Sequence, residues 1–150
     1  YGNWDVSTED FIIELDEERH FNRYRSETLN SDFYSDHSFF SIADYKSYCH
    51  EREKECLKAA KWGQNWKNSS TEKMFIKSNV DGDLAGNGSS RWRQRAYYDF
   101  LKDLTSKVIN TPVIRVSIYD SFHGLTVDEI LARRGSFAIL NEFIDNLVQW

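Results

Sequence analysis

The chain has 150 residues, 40% hydrophobic and 15% aromatic, which is enough apolar material for one domain with a real core. Its formal net charge of -5 and pI near 5.4 argue against a protein that coats nucleic acid indiscriminately, because such domains carry a basic excess. It holds no run of eighteen apolar residues and no basic-then-apolar leader, so the expectation is a cytoplasmic chain that does not enter a membrane.

The first residue is Tyr1 rather than a methionine, which leaves room for a helix or strand upstream. Trp4 and Val6 lead into the turn cluster Ser7-Thr8-Glu9-Asp10, predicting the first arm of a hairpin whose second arm is Phe11 to Asp16. In that second arm, parity puts Ile12, Glu14 and Asp16 on one face and Phe11, Ile13 and Leu15 on the other. Two carboxylates about 7 Å apart on an apolar strand repel and lose hydration unless a cation lies between them, so the pattern predicts a metal site. Asp10 shares their face and is a candidate further ligand, whereas Asp5 reaches the site only if the hairpin carries it across. His20, four residues after Asp16, is placed to swing back over the strand end as a base or ligand.

Glu17 to Leu29 concentrates Arg19, His20, Arg23 and Arg25 beside these carboxylates. Arginine there would stabilise charge on a metal-bound phosphate, and the alternative is surface pairing with Glu17, Glu18 and Glu27. Asn30 to Ser41 has no period and reads as a loop returning Phe33, Tyr34, Phe39 and Phe40 to the core. Asp44 to Lys61 reads as one helix. It carries Cys49 and Cys56 on one face about 10 Å apart, too far for a disulfide, as two small buried residues.

A loop-rich insert follows at about 62–90, with Glu72 to Lys77 as a short element inside it. Its glycines lack the Gly-Lys-Ser/Thr of a phosphate loop, while Trp62, Trp66 and Lys67 are candidates to stack on unpaired bases. Arg91 to Val108 reads as a helix capped by Ser89 or Ser90, with Trp92, Ala96, Tyr97, Phe100, Leu101 and Leu104 facing inward. Arg91, Arg93 and Arg95 in its first turns oppose the helix dipole, which predicts an anion nearby. After Pro112, Val113 to Tyr119 alternates as a second strand. Thr126 caps a helix through Arg134, and Phe137 to Trp150 forms the last one.

The spacing Glu14-x-Asp16-x-x-x-His20, set between Phe11-Ile12-Ile13 and Phe21, resembles the second motif of the very-short-patch-repair endonuclease-like branch of the PD-(D/E)XK nuclease superfamily. Arg95 to Leu104 followed by Val113 to Tyr119 resembles that family's helix with spaced Asp and Leu and its Val-Ile-Arg-Val strand. Two features depart from the pattern: Glu17 stands where the family often has glycine, and no lysine occupies the usual superfamily position, so His20 stands in for it.

The resemblance implies one α/β domain of α+β type, restriction-endonuclease-like, with a small central mixed sheet flanked by helices. It also implies a metal-dependent nuclease cutting DNA or RNA with Mg²⁺ or Mn²⁺. On that reading Asp10, Glu14 and Asp16 hold the metal, Glu14, Asp16, His20 and Arg25 carry catalysis, and Arg23, Arg91, Arg93 and Arg95 contact nucleic acid. The rival is a non-catalytic acidic partner, immunity- or antitoxin-like, whose Trp and Tyr anchor a protein interface. A third reading is an inactive relative that binds nucleic acid without cutting it.

Overall fold

Ile12–Asp16 form the strand that the alternation predicts, β2, which is the central member of a three-stranded sheet. The computed structural model describes residues 4–36, 39–61, 66–132 and 137–148. On one side Val6–Ser7, β1, pairs antiparallel with β2, Val6 opposite Ile13, so the expected hairpin forms. On the other side Val113–Ser117, β3, runs parallel to β2, with Glu14 opposite Arg115 and Asp16 opposite Ser117.

A parallel pair needs a long crossover, and the helical middle of the chain supplies it. The crossover comprises α1 (Arg23–Thr28), α2 (Phe33–Asp36), α3 (Ile42–Glu51), α4 (Glu53–Lys61), α5 (Ser69–Phe75) and α6 (Ser90–Ile109). After β3 come a two-stranded ribbon, β4 (Ser121–Phe122) with β5 (Leu125–Thr126), then α7 (Val127–Ala132) and α8 (Phe137–Leu147). Among the described residues this is an α+β fold, eight α-helices around a small mixed sheet. None of the described helices is long and apolar enough to cross a membrane.

The period-two alternation of β2 sorts its two faces. Ile13 joins Ile114, Val116, Val127 and Phe143 in a core against which Phe11 and Leu15 also pack. Each such side chain removed from water stabilises the fold by about 1.5–3 kcal/mol. The other face carries Ile12, Glu14 and Asp16, equally buried; Lys102 of α6 meets Glu14, and Arg115 of β3 meets Asp16.

In α6 the cap is Ser89, whose Oγ accepts the Trp92 N–H, and Asn110 ends the helix in the left-handed region. Its inward stripe is Trp92, Ala96, Asp99, Asp103 and Ser106. The sequence placed Tyr97 inward, but Tyr97 is 45% exposed; two aspartates take inner positions because buried arginines await them.

The helix expected over Asp44 to Lys61 is two helices, broken at Arg52, where ψ rises to 7°. The break lets the segment serve two cores. Cys49 packs with Phe21, Leu29, Tyr34 and Tyr45, and Cys56 with Trp66, Leu84 and Trp92. Burial pushes both free thiols up to about 12. Trp66, a candidate for base stacking, is buried edge-on against Trp92 at 5.3 Å, while Trp62 lies outside the described residues. The loop expected over 30–41 contains α2, and the expected extensions to Arg134 and Trp150 fall outside the described residues.

Gly88 adopts φ +49 with its α-carbon against the Tyr24 hydroxyl, where a Cβ has no room. Gly88→Ala is therefore expected to cost about 2 kcal/mol or more, left-handed strain adding to overpacking. The loss should appear as a lower urea midpoint at unchanged m-value.

Candidate active site

Asp16 ends β2 fully buried, and Arg115 on the neighbouring strand donates from Nη1 to both its oxygens, at 2.7 and 2.9 Å. The remaining Arg115 donors point to α6. Nη2 bonds the Asp99 carbonyl at 3.0 Å, and Nε bonds Asp103 Oδ1. The second oxygen of Asp103 takes Arg25 Nη2 at 2.7 Å and the Tyr34 hydroxyl at 2.5 Å. Three buried carboxylates thus face two buried guanidinium groups, and mutual pairing of this kind is what makes charge tolerable in an interior, although Arg25 Nε has no hydrogen-bond partner among the described residues. Arg25, expected to be catalytic, is a fully buried strut whose Nη1 reaches Tyr34 and Thr28 rather than a cavity.

Removing one member strands the others. Arg115→Leu leaves Asp16, Asp99 and Asp103 short of their shared cation, and a loss of about 3–5 kcal/mol in urea unfolding is expected. Arg23→Ala, which opens only the half-exposed pair with Glu53 at 2.8 Å, should cost under about 1 kcal/mol.

His20 closes the charge balance. A single 3-10 turn over Glu18–His20 brings its ring back over the strand end. There Nδ1 lies 2.8 Å from Asp99 Oδ2 and 3.2 Å from Asp16 Oδ1. Burial alone disfavours the imidazolium, but the charges of Asp99 and Asp16 and the bond to Asp99 outweigh it and hold His20 above its ordinary value. Arg95 opposes them, its Nη1 standing 2.9 Å from Nε2, a contact that exists only while Nε2 carries no proton. Asp99 is held well below the usual carboxylate range, because His20 and Arg115 overcome the cost of its burial.

The sign of the His20 effect on stability follows. The folded chain binds this proton more tightly than the unfolded chain. The stabilisation is therefore complete below about pH 6.5 and fades as pH rises through the folded-state value. The gap in urea stability between the parent and His20→Gln should be larger at about pH 5.5 than at about pH 8.5.

Asp16, His20 and Asp99 each bring one ligand atom to within 4.8 Å of the others, the spacing of a cation site. Both Asp16 oxygens already face Arg115, however, and His20 Nδ1 bonds Asp99, so the donor set fits an ion-paired histidine better than a resident metal.

Glu14 lies one step back on the same face. Its Oε2 is 2.6 Å from Lys102 Nζ, and its Oε1 is buried without a hydrogen-bond partner among the described residues. The hairpin does carry Asp5 across: its Oδ2 accepts the Leu15 N–H at 2.8 Å. Burial holds the Glu14 carboxyl above its ordinary value against the pull of Lys102, and the negative charge of Asp5 adds to the rise. Asp10 does not join them. It is exposed in the turn before β2, six residues from Asp16, roughly 20 Å of extended chain.

Lys102, the partner of Glu14, also lines a cavity of about 590 Å³ in which Asp99 takes part as well. One stripe of α6, Arg91, Arg95, Tyr98 and Lys102, lines it, with Trp4 and His20. The Trp4 ring sits 5.1 Å from Lys102 Nζ and shields that ammonium. Of the arginines expected to contact nucleic acid, Arg91 and Arg95 reach this cavity. Arg23 instead pairs with Glu53, and Arg93 donates to the Ile76 carbonyl at 2.8 Å.

Asp99, Asp103, Arg115 and Lys102 were missed as site residues. The helical spacing of α6 groups three of them, 92-96-99-103 forming one stripe and 91-95-98-102 the next, but their partners, and Arg115 on β3, leave no mark in local spacing. The molecule is thus an α+β protein whose sheet presents a buried glutamate and a cation-lined cavity to one helix. The chain belongs to the family of unknown function DUF7255, matched over residues 1–133. No curated protein and no solved structure matches it.

Proposed function

We propose that this chain is a metal-dependent nuclease that hydrolyses phosphodiester bonds in DNA or RNA, with Glu14, Asp5 and Lys102 at its centre. The observation that carries the reading is Glu14: one oxygen lies on an ammonium and the other is buried without a partner among the described residues, with a second carboxylate brought across the hairpin. A buried carboxylate oxygen left unpaired is costly, and a cation at that oxygen removes the cost. Glu14 and Asp5 are the residues that would hold Mg²⁺ or Mn²⁺, which when bound supplies Lewis acidity and a water of lowered pKa. The motif resemblance over Glu14, Asp16 and His20 and the mixed sheet support a restriction-endonuclease-like assignment.

The chain's own groups divide the remaining work. Arg91 and Arg95 bind the phosphate in the cavity. Lys102 orients Glu14 and faces the charge that develops on the phosphate. His20 Nε2, turned toward the cavity, accepts or returns a proton. Asp16 is a positioning residue, acting through Arg115 and His20. An acidic docking partner is less favoured, since Glu14, Asp16, Asp99 and Asp103 are all buried against cations rather than displayed.

The test is cleavage of plasmid, single-stranded DNA and RNA with Mg²⁺ or Mn²⁺. Glu14→Gln and Lys102→Met should each lower the rate by about 100-fold or more, with Arg23→Ala unchanged. A folded parent that neither cuts any of these substrates nor binds a divalent ion in calorimetry sinks the proposal and leaves the inactive relative.

A further inference from the structure

The cavity does not end at its arginines. Tyr98 forms part of its wall, the Tyr97 ring lies 6.0 Å from Tyr98, and the Phe75 ring of α5 lies 5.8 Å from Tyr97. Both tyrosines are 45% exposed, which is unusual for two adjacent large aromatics on a helix that has an inward stripe available. The rings thus form a continuous track leading out of the cavity across α6 onto α5.

Cations stand near both ends of the track, with Asp99 also in the cavity lining. Arg91, Arg95 and Lys102 stand at the cavity end, Lys73 and Lys77 are exposed at the α5 end, and Arg93 bridges the two through the Ile76 carbonyl. In a chain of net charge -5, this is a local concentration of positive charge beside exposed rings. Aromatic faces interleaved with arginine and lysine are the chemistry of unpaired bases on a cationic backbone groove, because every base has a face to stack while the phosphates pair with the cations. The bases of a duplex are already stacked on one another and offer such a track nothing.

We propose that the ligand of this surface is single-stranded nucleic acid, its backbone entering the cavity and successive bases stacking on Tyr98, Tyr97 and Phe75. The inference rests on the nuclease reading for what happens at the cavity, but binding can be read without cleavage.

The experiment is fluorescence anisotropy in EDTA at fixed salt, using a labelled DNA strand of about a dozen nucleotides, the matching RNA, and the DNA duplex. The parent should bind single strands about ten-fold or more tighter than the duplex. The double variant Tyr97→Ala with Tyr98→Ala should weaken single-strand binding by about five-fold to a hundredfold. The double Tyr→Phe variant, which keeps the rings, should retain it. Thermal melts check that each variant is folded, as the exposure of both residues predicts. Equal or tighter binding of the duplex, or a folded alanine variant that binds as the parent does, overturns the inference. A parent that prefers single strands but never cuts fails the nuclease reading and keeps this one. A parent that cuts yet binds duplex equally well fails this one alone.

Discussion

The ion pair between Asp16 and Arg115 is the contact on which the rest of the architecture depends. It joins adjacent parallel strands in the interior, where a guanidinium is tolerable only if its remaining donors are also met. They are met by α6, through Asp99 and Asp103, and this sets the rotation of that helix about its own axis. Asp103 then calls for a second cation, which comes from α1 as Arg25, and a hydroxyl, which comes from α2 as Tyr34. Three crossover helices are thereby tied to one strand residue. Apolar side chains of similar volume could hold these layers together with equal stability, but they would leave the helix rotation less sharply defined. That rotation matters because the neighbouring stripe, Arg91, Arg95, Tyr98 and Lys102, faces the cavity and Glu14 only when Asp99 and Asp103 face Arg115.

His20 connects the buried network to the cavity. On one side Nδ1 serves Asp99 and Asp16, and on the other Nε2 meets Arg95. A guanidinium cannot accept a hydrogen bond, so the Arg95 contact requires an unprotonated Nε2, whereas the two aspartates favour the imidazolium. The two demands conflict. When His20 takes a proton at Nε2, the buried network reaches charge balance and the contact with Arg95 is lost.

The parts of this arrangement legible in the sequence are those set by local pattern. Parity along FIIELD gave the correct faces for Glu14 and Asp16, the cluster at Ser7 to Asp10 gave the hairpin, and Ser89 gave the start of α6. What escaped was decided at long range. Arg115 lies 99 residues from Asp16 and Lys102 lies 88 from Glu14, so neither partnership leaves a trace in local spacing. Asp99 and Asp103 were passed over because an inward helical position ordinarily calls for an apolar side chain, and only a buried arginine opposite reverses that preference. The same reasoning misjudged Arg25: proximity in sequence to the carboxylates suggested catalysis, but the unmet charge of Asp103 draws it inward. The break at Arg52 carries neither glycine nor proline, and it follows from Cys49 and Cys56 belonging to different cores.

The acidic composition argues against indiscriminate coating of nucleic acid, but net charge alone does not set the field at one cavity. Glu14, Asp16, Asp99 and Asp103 are each neutralised within the fold by Lys102, Arg115, His20 or Arg25, so they add little field outside it. The remaining acids are spread over a surface where, at physiological ionic strength, a charge is screened beyond about 8 Å. Among the described residues, the cations at the cavity not already held by a carboxylate are Arg91 and Arg95, and Asp99 in the same lining is itself paired with His20 and Arg115. On the proposed reading such a site would make few phosphate contacts and show a shallow salt dependence, so that ring stacking, rather than counterion release, would carry the larger share of affinity. An acidic chain is in that respect consistent with the proposal: the overall charge discourages indiscriminate coating of duplexes, and the proposed preference for unpaired strands asks only for local cations and exposed rings.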